Sequence, residues 1–139
     1  MTPPDHPVEA APRIRHQWLG PVLGVYWLLI FSATHLPSAA LPATSLGDKT
    51  EHFIAYGLLA LLLYAWLALT ARPSVRRRAV LLTLVLCIGY AAVDELTQPI
   101  VGRFCDYRDF LADAVGAALG TLVGMLLLAG RKSLSSQRS

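Results

Sequence analysis

Residues 48–70 read DKTEHFIAYGLLALLLYAWLALT: a polar head carrying Asp48, Lys49, Glu51 and His52, then an apolar run from about Phe53 to Leu69. A bilayer core about 30 Å thick is crossed by roughly 20 mostly apolar residues in a helix, so this stretch predicts a membrane span with its polar chemistry crowded at one end. Three further stretches have the same character. They run from Trp18 to Leu36, from Ala79 to about Val93 and on through Asp94 and Glu95 to Gln98, and from Phe110 to Ala129.

The fold class that follows is all-α, a polytopic membrane protein built as a bundle of four transmembrane helices. Its membrane domain is expected over residues 18–130, with helices at about 18–36, 50–70, 79–98 and 109–129. Residues 1–17 carry Pro3, Pro4, Pro7 and Pro12 and predict a disordered cytoplasmic tail, because each proline removes a helix hydrogen bond; residues 131–139 are expected to form a second tail. Ser38 to Gly47, rich in small residues with Pro42 among them, reads as the first outer loop. Composition agrees: 55% of the 139 residues are hydrophobic and 15% charged, far below the share of about a quarter usual in soluble domains.

The net charge of +3 would fit a nucleic-acid partner, but the positions of the charges set the orientation of the bundle instead. Arg13 and Arg15 precede the first span, Arg72, Arg76, Arg77 and Arg78 separate the second from the third, and Arg131, Lys132 and Arg138 follow the fourth. All lie on one side of a four-span topology. The other side carries Lys49, Arg103 and Arg108 against seven acids, Asp48, Glu51, Asp94, Glu95, Asp106, Asp109 and Asp113. Positive charge stays inside, so the expectation is a multi-pass protein of the inner, cytoplasmic membrane with both termini cytoplasmic, and no nucleic-acid partner. Cleavage of the first span as a signal peptide is the competing reading, opposed by an apolar run longer than the usual 7 to 15 residues. Cys87 lies within the third span and Cys105 beyond its end, too far apart for a disulfide.

Helical spacing gathers the polar residues. Asp48, His52 and Tyr56 recur every four residues; Tyr90, Asp94, Thr97 and Gln98 share a face of the third span, with Glu95 a quarter-turn away. Asp106, Asp109 and Asp113 lead into Gly116, Gly120 and Gly124, a small-residue stripe that lets another helix approach closely. Packing within one chain is the preferred reading of that stripe, homo-oligomerisation through the same three glycines the alternative. A carboxylate in the membrane needs a partner, and His52, Lys49 and Arg103 are the candidates for Asp94. Arg103, with its planar fork of donors, suits carboxylate or phosphate; its alternative role is to neutralise Asp94, Asp106 or Asp109.

The motif Asp48-Lys49-Thr50-Glu51-His52-Phe53-Ile54-Ala55-Tyr56-Gly57-Leu58-Leu59, followed by Asp94-Glu95-Leu96-Thr97-Gln98, Gly102-Arg103, Asp109 and Gly116 to Gly120, resembles the VanZ-like family of small bacterial membrane proteins. The resemblance covers most of residues 48–120 and departs at Asp113, where the family often has Asn. It implies a membrane bundle acting in the cell envelope; members of the resistance type are linked to reduced susceptibility to teicoplanin.

The functional expectation is recognition of a membrane lipid or lipid-linked wall intermediate by an extracytoplasmic polar cluster comprising Asp48, Lys49, His52, Tyr56, Asp94, Gln98, Arg103, Asp109 and Asp113. The alternative is an enzyme acting on a phosphate-containing lipid, with His52, Asp94 and Glu95 as candidate catalytic groups. An acid relay for ions and a purely structural ionic lock stand behind these. No cofactor is expected: there is no H-E-x-x-H, P-loop or zinc-spaced cysteine pair, and a single histidine among acids, able to hold Mg²⁺ or Mn²⁺, assigns no metal by itself.

Overall fold

The computed structural model describes residues 16–36 and 46–136. Most of the tail expected over residues 1–17 and of the loop from Ser38 to Gly47 lies outside the described residues. A 3-10 turn, His16–Trp18, leads into α1 (Leu19–His35); α2 (Asp48–Thr70), a short α3 (Pro73–Arg76), α4 (Ala79–Thr97), a second 3-10 turn (Gln98–Val101) and α5 (Tyr107–Ser136) follow. Four segments, His16–His35, Asp48–Thr70, Ala79–Val101 and Tyr107–Arg131, are long and apolar enough to cross a membrane. The protein is an all-α, four-span membrane bundle. Its last helix runs on to Ser136, past the end of the apolar run, so part of the expected C-terminal tail is helical.

α2 is the central helix and packs on α1, α4 and α5, its closest partnership being with α5. At the contact α5 presents glycines, Gly116, Gly120 and Gly124, and α2 contributes Gly57. A Cβ on Gly116 would overlap the Phe53 carbonyl oxygen, and one on Gly120 the carbonyl oxygen of Gly57; at Gly124 a Cβ would come within 2.7 Å of Tyr64 Cδ1. Lipid supplies no hydrophobic drive between helices, so close backbone approach and dispersion must hold them together. The three glycines are spent inside one chain, facing α2.

α4 uses a second small-residue face: Ala79, Thr83, Cys87 and Ala91 are buried at intervals of four, and Glu95 continues the row. Thr83 turns its hydroxyl back onto the Ala79 carbonyl at 2.7 Å, which hides a polar group where no water reaches. α1 is the most loosely held span. It is fastened by the Tyr26 hydroxyl donating to the Ala55 carbonyl of α2 (3.1 Å) and by Trp27 edge-on to Tyr90 of α4, with centroids 5.1 Å apart. Trp18 is exposed at the start of the bundle and Trp66 is partly exposed, as interfacial anchors are.

The spans expose large hydrophobic side chains that would be out of place in water; Leu28, Leu29, Val85, Leu119 and Leu126 among them give the outward faces the apolar coat that lipid requires. The basic residues of the α2–α4 connection sit at one end of the bundle and the carboxylates at the other. Pro73 starts α3 at a position where its missing N–H costs nothing.

Candidate functional site

The polar end is built from the ends of all four spans. The first turn of α2 supplies Asp48, Lys49 and His52, and Tyr56 lies a turn deeper; the last turn of α4 supplies Asp94 and Glu95, with Gln98 just beyond. α5 enters at Asp106, which takes the N-cap role: its Oδ1 accepts the Arg108 backbone N–H at 2.9 Å. That bond, then Lys49, holds the Asp106 carboxyl below the usual carboxylate range. Asp109 and Asp113 follow on the inward face of the same helix.

Burial is the unusual property of this cluster. Asp94, Glu95, Gln98, Asp109 and Asp113 are each no more than 5% exposed, and His52 is 7% exposed. Charged groups in a membrane interior cost several kcal/mol apiece unless neutralised, so their partners decide what the site can do. His52 Nδ1 lies 3.0 Å from Asp113 Oδ1. Lys49 Nζ bridges Asp106 (3.2 Å) and Asp109 (3.0 Å), tying the start of α2 to the start of α5. Glu95 Oε2 accepts the Asp106 backbone N–H at 2.9 Å, so this residue, a quarter-turn from Asp94, points toward α5 and is buried as deeply.

Two expected pairings are corrected. Asp94 does not pair with His52, Lys49 or Arg103; its Oδ1 accepts the Thr34 hydroxyl at 2.8 Å and lies 3.5 Å from His35 Nδ1. Both partners come from the last turn of α1, a helix whose sequence reads as merely apolar. His35 Nε2 also sits 2.9 Å from Thr97 Oγ1, closing α1 onto α4. A Thr-His pair ending an otherwise apolar span is the signal that could have found them, since polar groups at that depth need a reason.

Arg103 forms no salt bridge among the described residues, although Asp94, Asp106 and Asp109 are its expected partners. Its Nη1 donates to the carbonyls of Ala33 (2.8 Å) and Leu36 (3.5 Å), where α1 ends. Those carbonyls have no partner within the helix and carry the negative end of its dipole, so a guanidinium there is well placed. Gly102, in the left-handed region at φ 77°, makes the turn that brings Arg103 over.

Arg103 and His52 line one cavity of about 250 Å³ between α1 and α2, together with Asp48, Tyr56, Thr34 and an aliphatic wall that includes Leu29 and Ile30. Asp94 stands behind it, joined through Thr34. Of the expected residues, Lys49, Gln98, Asp109 and Asp113 lie outside the cavity lining. The cluster is therefore layered: an open cavity, then a sealed set of acids.

Several buried atoms have no hydrogen-bond partner: the hydroxyl of Tyr56 at the cavity, and, in the sealed layer, Asp94 Oδ2, Glu95 Oε1, Gln98 Nε2 and Asp113 Oδ2. Two groups have ligand atoms mutually within 4.8 Å, one formed by Asp48, His52 and Asp109 and one by His52, Glu95 and Asp113. These are the residues able to hold a metal ion. Sequence spacing placed Asp48 and His52 on one face of α2 but did not reveal either complete group, because the remaining members come from other helices.

Fold and site together define a class: a small four-span membrane protein with acids sealed beneath a cavity at one end. The VanZ/LLP1 family model matches residues 16–128, and the chain belongs to that family. It is also 32% identical over 107 residues to an uncharacterized protein of Schizosaccharomyces pombe, a match covering 76% of this chain and 61% of the relative. This chain thus accounts for less than two thirds of that relative. No solved structure matches it.

Proposed function

We propose that the protein recognises the phosphorylated head of a membrane lipid or lipid-linked wall intermediate, in the cavity between α1 and α2, on the extracytoplasmic side of a bacterial inner membrane. The observation carrying this reading is Arg103: a permanent cation lining the cavity alongside Asp48, yet bonded, among the described residues, only to main-chain carbonyls. Arginine matches the geometry of phosphate oxygens through parallel N–H donors, and Nη1 alone is engaged by α1. The aliphatic wall of Leu29 and Ile30 suits the first carbons of a lipid chain, while His52 and Tyr56 supply polar groups deeper in.

Extraction of the full-length protein in native membrane discs tests the reading, with bound lipids compared between wild type and Arg103→Ala. One phosphate-containing lipid enriched over the bulk, and lost in the variant while its elution profile is unchanged, is the expected outcome. A bulk lipid mixture in both proteins would sink the proposal. A part in glycopeptide susceptibility belongs to the same reading, and predicts that expression of the wild type, but not of Arg103→Ala, raises the inhibitory concentration of teicoplanin.

A second reading, hydrolysis of the bound phosphate, is favoured by the His52–Asp113 pair. A carboxylate at 3.0 Å from Nδ1 orients the ring of a histidine that lines the cavity and leaves its other nitrogen, Nε2, for proton transfer. Release of inorganic phosphate from the co-purified lipid, abolished in His52→Gln, distinguishes the enzyme from the binding protein.

A further inference from the structure

We propose that His52, Glu95 and Asp113 bind a divalent first-row cation such as Mn²⁺. The three residues come from three different helices, α2, α4 and α5, and each is at least nine-tenths buried. One ligand atom from each lies within 4.8 Å of the other two. For an ion with bonds of about 2.1 to 2.4 Å, ligand atoms on opposite sides are separated by about 4.2 to 4.8 Å, so the cage is of metal-binding size with at most a small contraction.

An independent observation points the same way. Glu95 Oε1 and Asp113 Oδ2, one oxygen from each acid, are sealed from solvent and have no hydrogen-bond donor. Native interiors leave few polar atoms in that condition, and an absent ion is one of the standard reasons. The cationic side chains nearby are already committed: Lys49 to Asp106 and Asp109, Arg103 to the end of α1. The second group, Asp48, His52 and Asp109, shares His52, but its Asp109 already receives Lys49 at 3.0 Å. One imidazole with two carboxylates is a mixed nitrogen and oxygen set, which suits Mn²⁺ and its neighbours better than Ca²⁺.

A cation at this point would join α2, α4 and α5 and offset the acidity that otherwise opposes phosphate beside His52. That second consequence rests on the head-group reading; the binding of metal does not. A titration without phosphate or added lipid separates the two, since the cation can fail to bind while the lipid is still retained by Arg103, or the reverse.

The test uses full-length protein in mild detergent, stripped with a chelator and titrated with Mn²⁺ while free Mn²⁺ is followed by electron paramagnetic resonance. The wild type is expected to saturate at about one ion per chain, with Glu95→Gln and Asp113→Asn at least tenfold weaker and Asp106→Asn unchanged. Circular dichroism and elution profile report whether each variant is folded. Should the two cage variants not fold, pulsed resonance of the Mn²⁺-loaded wild type is decisive: a nitrogen coupling from imidazole is expected. Folded wild type without saturable binding, folded cage variants that bind as tightly as wild type, or a bound ion with no nitrogen coupling would each overturn the proposal.

Discussion

Thr34 shows how much one hydroxyl can carry in a membrane. It donates to Asp94 Oδ1 at 2.8 Å, while Asp94 Oδ2 has no hydrogen-bond partner, so removing the hydroxyl leaves a fully buried carboxylate with only His35, 3.5 Å away, beside it. Thr34→Val should lower stability by about 1 to 3 kcal/mol, read as a drop in detergent melting temperature, with Thr34→Ser close to wild type. Ser32 offers the contrast: its hydroxyl bonds the Leu28 carbonyl on an exposed face, and Ser32→Ala should change little. Asp106 makes a different argument. Its carboxyl lies below the ordinary value of 3.8 because the Arg108 N–H and Lys49 favour the charged form. A lowered folded value means stabilisation present above about pH 4 and lost as pH falls through the folded value. Asp106→Ala should therefore melt lower than wild type at neutral pH, and the gap should close in acid; a gap independent of pH would refute the assignment.

At the scale of elements, the pairing of α2 with α5 depends on absent side chains. A Cβ at Gly120 would overlap the Gly57 carbonyl oxygen, main chain that can yield only by separating the helices. Gly120→Ala is expected to cost about 1 to 3 kcal/mol, the usual range for overpacking, despite alanine's better helix propensity. At Gly89 a Cβ meets nothing within 4 Å, so Gly89→Ala should be neutral or slightly stabilising. Melting both variants beside wild type checks the pair; equal effects would mean that the close approach is not what holds these helices. The same logic explains why α1 is held by a few contacts of a different kind, a tyrosine hydroxyl, an edge-on ring and the Thr34–Asp94 bond, instead of a small-residue seam.

For the whole molecule, orientation is the open question that one residue can answer. Cys105 is exposed at the polar end and Cys87 is buried among the helices, so the chain carries its own reporter. With both termini cytoplasmic, as the arginine distribution predicts, a membrane-impermeant maleimide should label Cys105 in intact cells and spare Cys87. Labelling that requires lysis would place the acids and the cavity in the cytoplasm and remove the extracytoplasmic part of the proposed function. Cys105→Ser serves as the blank.

Read alone, the chain already specified four spans, the separation of arginines from acids, and most members of the polar cluster. Those features follow from hydrophobic length and from the cost of charge in lipid, which act on each helix separately and leave a local imprint. The glycine stripe at Gly116, Gly120 and Gly124 was legible as a contact face for the same reason. Which groups meet could not be read in this way, because pairing depends on the relative rotation and depth of helices remote in sequence. Only the tertiary structure decided that Asp94 belongs to Thr34 and His35, that Arg103 closes the end of α1, and that His52, Glu95 and Asp113 converge from three helices. Periodicity assigns a residue to a face, but a polar site is made where faces of different helices cross, and that crossing is set by packing across the bundle.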